Sequence, residues 1–178
     1  MIKLVLPSLE YEKEIERFKR ENCDDHSLVN GTGGLEEMLV QEWIEKREDY
    51  RHGRNLPDGY VPGTQFIAVR ESDGKIVGMV NLRHELNEYL LMHGGHIGYM
   101  TAVDERGKGY CKEMLRLCLI ECKKMGIDHV LLTCDKWNVA SAKVIIANGG
   151  VLENEVDYEG ENPKYKGTLM QRYWIKTA

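Results

Sequence analysis

Residues 96 to 135 read as strand, glycine turn, long helix, strand, and no other part of the sequence limits the fold as tightly. "HIGYMTAV" has the short apolar run of a strand. "GYCKEMLRLCLIECKKMG" repeats apolar residues at helical spacing and stops at Gly126, a residue suited to closing a helix. "DHVLLTCD" is a continuous apolar run of the kind buried on both faces. A helix between two strands is a crossover, and the other strand signals are of a different kind. "TQFIAVRE" and "KIVGMVNLRHE" flank the turn "SDG" as a hairpin, and "VLENEVDYEG" and "LMQRYWIK" could pair antiparallel. With "IKLVLPS" as a first strand ended by Pro7, the chain has about seven strands and one crossover. That predicts an α/β fold with a mixed, mostly antiparallel sheet flanked by helices.

Two helices precede the hairpin. "LEYEKEIERFKREN" places Leu9, Ile15 and Phe18 on one side, and after the break "NGTGG" the stretch "LEEMLVQEWIEKREDY" turns Leu35, Met38, Leu39, Trp43 and Ile44 inward. A last helix, "NVASAKVIIANGG", has Asn138 as a possible cap and Gly149 as its stop. No repeat, low-complexity tract or linker interrupts the chain, so residues 1–178 are expected to form a single domain.

Composition excludes several classes. Apolar residues make up 42% and charged residues 30% of the 178, as in a globular protein. A net charge of −5 argues against a nucleic-acid partner, which needs a basic face. No apolar run approaches the ~20 residues that span a bilayer, and the N-terminus lacks the pattern of a signal peptide, so a cytoplasmic protein with no membrane partner is expected. Cys23, Cys111, Cys118, Cys122 and Cys134 include no C-x-x-C pair; reduced core thiols are expected and no metal site.

The turn "RGKG", Arg106 to Gly109, lies between strand and helix. Glycines there let a ligand approach the backbone, and unpaired amides with the helix dipole favour an anion. Arg106 and Lys108 add phosphate donors. Neither better-known phosphate loop fits. The P-loop pattern fails at Ala102 and Gly109, and the dinucleotide pattern fails at Lys112.

"GYMTAVDERGKGYCKEML" resembles the central motif of the GNAT superfamily of N-acetyltransferases, Q/R-x-x-G-x-G/A between a strand and a helix. Arg106 and Gly109 match, and Cys111 stands where Gly or Ala is usual. "NVASAKVIIANGG" resembles the next motif, and the "IGY" strand is most similar to RimJ/RimL-type and uncharacterised bacterial members. The resemblance runs from about Thr64 to the C-terminus; residues 1 to 63 fit loosely. It implies a sheet splayed between strands 4 and 5, with a bulged strand 4, and direct transfer of acetyl from acetyl-CoA to a primary amine, small molecule or peptide. A homodimer is possible, as often in that family.

Carried onto this chain, the resemblance implies that the backbone of Met100, Thr101, Ala102 and Val103 pairs with pantetheine. The amides of Arg106, Gly107, Lys108, Gly109, Tyr110 and Cys111 would hold the diphosphate. An N–H near Met100 would polarise the thioester carbonyl. Asn138 and Ser141 would contact pantetheine and sulfur, though Asn138 could also be a plain N-cap. Many members carry on this helix a Tyr that protonates the leaving thiolate; here that position is Ile145, leaving Ser141 or a water for the task. His96, at the head of the fourth strand, is the candidate base for the amine, ahead of His84, Glu85 and His93. Arg83, Tyr89, Tyr99 and Trp174 could shape the acceptor pocket or simply pack on the sheet. The changes at Ile145 and Cys111 keep open a second reading, a non-catalytic acyl-CoA sensor on the same fold.

Overall fold

The computed structural model describes residues 1–23 and 29–177, with only the backbone of residue 164. Seven strands form two sheets. In the first, β1 (Ile2–Val5), β2 (Gly63–Arg70), β3 (Ile76–Arg83) and β4 (Ile97–Thr101) lie side by side in chain order. In the second, β7 (Leu169–Lys176) runs between β5 (His129–Asp135) and β6 (Val151–Asp157). Every ladder among the described residues is antiparallel. The splay expected between strands 4 and 5 is found: β4 and β5, joined by the crossover, form no ladder and divide the two sheets, so the mostly antiparallel sheet has no parallel ladder among the described residues.

Helices α1 (Glu12–Asn22) and α2 (Val40–Arg51) cover one face of the first sheet. Helix α3 (Tyr110–Lys124), the crossover, and α4 (Val139–Ala147) cover the other. Strand alternation assigns the side chains to these layers. Ile97 and Tyr99 of β4 pack with Met114, Leu115, Cys118 and Ile145, whereas Met100 packs with Phe18, Trp43 and Met79. All five cysteines are thiols, four of them buried and Cys111 partly so.

Two apolar residues depart from the expected inward faces. Leu9 lies in a 3-10 turn (Leu9–Tyr11) before α1, and Leu39 precedes α2 in extended conformation, so neither shares its helix's buried stripe; they are 62% and 76% exposed. Among the described residues no helix is long and apolar enough to cross a membrane.

Candidate active site

The two sheets share an apolar core, and their backbones are joined at His96. His96, just before β4, donates its amide to the Leu131 carbonyl at 2.7 Å, and its ring Nδ1 accepts the Leu131 amide at 2.9 Å. Past this junction no ladder joins β4 to β5, and the gap opens toward the R-G-K-G turn. Register decides which backbone groups face that gap. The Arg83 amide bonds to His96 O and the Ala102 amide to Val77 O, so by antiparallel alternation Gly98 and Met100 also spend their polar groups on β3. Ile97, Tyr99 and Thr101 present theirs to the gap. The Met100 amide itself faces β3, so the N–H groups near Met100 that face the gap are those of Tyr99 and Thr101, and Val103 donates its amide to Asn22 Oδ1 at 2.8 Å. The β3–β4 ladder runs without a register shift, so the bulge expected in β4 is not found within it.

At the far end of the gap, the turn Arg106–Gly109 leads into α3. Gly107 and Gly109 have φ of 77° and 84°, a region that residues with a Cβ rarely adopt. Among the described residues no acceptor takes the amides of Gly107 to Lys112, and α3 has no side-chain N-cap; the first bonded amide is Glu113 N, to Gly109 O at 3.2 Å. These free donors at a helix N-terminus form a cradle for an anion. Glu105 lies beneath it, 3% exposed, ion-paired to Arg70 (3.0 Å), Lys75 (2.8 Å) and Lys108 (2.8 Å). Lys108, expected to reach phosphate directly, is held by this carboxylate, and Arg106 remains exposed.

Across the gap, α4 begins with Asn138, whose Oδ1 accepts the Ser141 amide at 3.1 Å, so the capping role is realised. The Ser141 hydroxyl meets the Tyr99 phenol at 2.8 Å. Burial raises the Tyr99 pKa, which keeps the phenol protonated at neutral pH. Ile145 is fully buried among the core residues and does not face the gap.

On the face of β4 opposite Tyr99, a cavity of about 620 Å³ lies between the segment Val29–Met38, α2 and the end of β3. The segment "NGTGG" forms its wall. Gly31 packs so closely on β4 that a Cβ there would stand 2.6 Å from the backbone of Gly98 and Tyr99. Gln65 Nε2 fixes the Gly31 carbonyl at 2.8 Å, and Trp43 Nε1 fixes that of Thr32 at 2.8 Å. The sequence shows this segment only as a chain break.

Of the residues expected to shape an acceptor pocket, Arg83 and Tyr89 line this cavity. Trp174 lies on β7 and donates to Glu153 at 2.9 Å. His84 bonds Thr64 Oγ1 at 2.8 Å, and His93 lies between the rings of Tyr89 and Tyr158. None of His84, Glu85, His93 and His96 lines the cavity. His96 is 7% exposed, one ring nitrogen is spent on Leu131, and burial with the nearby Arg83 charge pushes its pKa down to about 4. This placement is that of a strut between sheets, and it argues against the expected role of general base.

A sequence search of curated proteins finds no match. Solved structures match over nearly the whole chain. The ribosomal-protein-S5-alanine acetyltransferase of Vibrio fischeri is 18% identical, with a TM-score of 0.73 over 99% of this chain and 93% of its own. The microcin C7 self-immunity acetyltransferase MccE, solved with acetyl-CoA and AMP, is 16% identical, with a TM-score of 0.70 over 98% and 92%. A chimera of the Vibrio cholerae spermidine N-acetyltransferase SpeG is 16% identical, with a TM-score of 0.66 over 99% and 95%. At these identities the likeness is one of fold. The family model for the acetyltransferase (GNAT) domain matches residues 6–151, which takes in the N-terminal helices as well as the gap and turn, and the protein belongs to the GNAT family of acetyltransferases.

Proposed function

We propose that the protein moves an acetyl group from acetyl-CoA to a primary amine by direct attack in the gap between β4 and β5. The observation that carries this reading is the gap between β4 and β5 with, at the start of α3, a cradle of amides that no acceptor takes among the described residues; a cavity under residues 29–38 lies on the other face of β4. The cradle suits the diphosphate of CoA, with Arg106 as its flexible cation. Pantetheine runs along the free edge of β4, where the Tyr99 and Thr101 backbone groups are available. An amide on that edge is placed to hold the thioester oxygen as it gains charge.

The acceptor enters from the cavity side. Its nitrogen forms a bond to the acetyl carbon, the carbon–sulfur bond breaks, the amine gives up one proton and the departing thiolate takes one. Glu36 and Glu37 are the carboxylates of the cavity wall that can receive the amine's proton, directly or through water. The Tyr99–Ser141 hydroxyl pair stands on the thiolate side as the proton source. Neighbours of this fold are named for acting on an alanine of ribosomal protein S5 and on spermidine, so both peptides and small amines are within reach of the reading.

The test has two parts. Calorimetry with acetyl-CoA should show saturable binding, and thiol release from acetyl-CoA should rise with a suitable amine from a mixed library. Binding without release for any amine would instead favour the sensor reading.

A further inference from the structure

Among the described residues, no carboxylate forms an ion pair with either of two guanidinium groups in the acceptor cavity. Arg47, on α2, is only 8% exposed and stacks on the Tyr50 ring at 4.1 Å; its Nε is buried and has no hydrogen-bond partner among the described residues. Arg83, at the end of β3, spends Nη1 on the carbonyls of Gly94 and Gly95 at 3.1 and 3.2 Å. Among the described residues neither arginine forms an ion pair. Both line the cavity. Burial lowers both pKa values, yet an arginine keeps its charge at any pH where a protein is folded. An unpaired buried charge is costly, and a guanidinium fork matches carboxylate or phosphate oxygens in particular.

The same cavity carries the opposite sign at another part of its wall. Glu36 and Glu37 line it, and Glu36 is oriented by the Thr32 hydroxyl at 2.8 Å. The volume of about 620 Å³ lies within the range of small-molecule sites. A polycation would bring like charge against both arginines, and a simple alkylamine would leave them unpaired.

We infer that the acceptor is a zwitterionic amine, one that carries a carboxylate or phosphate as well as the attacking nitrogen. Its anion is held by Arg47 and Arg83, and its ammonium is drawn to Glu36 and Glu37. This assignment rests on the acetyl-transfer reading above and narrows its substrate class.

Thiol release from acetyl-CoA is to be followed with amino acids beside their amides and decarboxylated amines, with O-phosphoethanolamine beside ethanolamine, and with spermidine. The anionic member of each useful pair should show a kcat/KM higher by ~10-fold or more, the scale of a charge-assisted contact. A preference confined to amino acids identifies a carboxylate, and one confined to phosphoethanolamine a phosphate. Arg47→Gln and Arg83→Gln should erase the preference through KM while calorimetry shows acetyl-CoA still bound, and Arg47→Lys should retain part of it. Should a variant fail to fold, the wild type decides: with CoA present, alanine or O-phosphoethanolamine should raise Tm and alaninamide or ethanolamine should not. Equal use of neutral and anionic partners, a preference for spermidine, or a preference that survives both Gln variants overturns the assignment. Acetyl-CoA that binds but yields no thiol with any of these amines overturns this assignment, and if the mixed library with peptides added yields none either, acetyl transfer falls with it.

Discussion

The Tyr99 phenol, carried by β4, and the Ser141 hydroxyl, carried by α4, meet at 2.8 Å across the gap between the two sheets. The pair stands where the leaving thiolate would emerge and supplies what α4 lacks at Ile145. If it donates the proton, Tyr99→Phe and Ser141→Ala should each lower kcat by up to ~10²-fold with little change in the KM for acetyl-CoA. The double variant should lose little more than either single one, because the two hydroxyls act as one unit. A drop confined to KM would leave them as binding groups. Restoring the family's usual residue by Ile145→Tyr should not help. Ile145 is 0% exposed, and even a Cβ on Gly150 would stand 2.4 Å from its side chain, so the larger ring would overpack the core and lower Tm.

Glu105 makes the phosphate turn dependent on acid. Its contacts to Lys108, Lys75 and Arg70 hold the carboxyl down at about 2, below its ordinary 4.5. Between those values the unfolded chain binds the proton and the folded chain does not. Stability therefore rises with pH across the window and is lost as pH falls from about 4.5 toward 2. Glu105→Gln should flatten that dependence and lower Tm at neutral pH, as three cations lose a shared, 97% buried partner (3% exposed). Chemical denaturation at several pH values reads both effects.

At the turn itself, the arrangement separates Arg106 from Lys108. Arg106→Glu should weaken acetyl-CoA binding by ~10-fold or more, since an anion would face the cradle of amides. Lys108→Ala should have the smaller effect on affinity, because that ammonium is already committed to Glu105 at 2.8 Å. Calorimetry at two salt concentrations checks this: the Arg106 effect should shrink as salt rises. Equal losses for the two would mean that Lys108 leaves Glu105 when ligand binds.

The elements that carry local signals were legible in the sequence. The R-G-K-G turn, the amphipathic stripe of α3 and the Asn138 cap each depend on residues a few positions apart, and each is found where its pattern lies. What escaped depends on distant contacts. Nothing near Gly31 announces that it rests on Gly98, and nothing near Arg47 announces that it lines a cavity and, among the described residues, forms no ion pair there. The sheet division between β4 and β5 was legible only through the family resemblance, because a crossover by itself suggests a parallel pair and the local pattern does not show where the strands part. Leu39 shows the limit of periodicity, for the helical spacing continues through residues whose backbone is extended.

His96 offers the sharpest separation of structure from catalysis. Its ring is buried and accepts the Leu131 amide, so His96→Leu should strand that donor and destabilise the fold by ~1–3 kcal/mol. His96→Asn, whose amide oxygen can stand close to where Nδ1 stood, should recover much of the loss. The linkage runs in a defined direction: the folded pKa of about 4 lies below the ordinary 6.5, so the unfolded chain binds more protons between these values. Wild-type stability should therefore fall as pH drops from about 6.5 to 4, and this part of the slope should vanish in either variant. Catalysis should respond differently. With folded protein and one fixed amine, the pH profile of kcat/KM should keep its shape in His96→Asn, because the ring takes no proton from the acceptor. An acid-side limb that flattens in that variant, with Tm preserved, would return His96 to the role of general base and remove Glu36 and Glu37 from it.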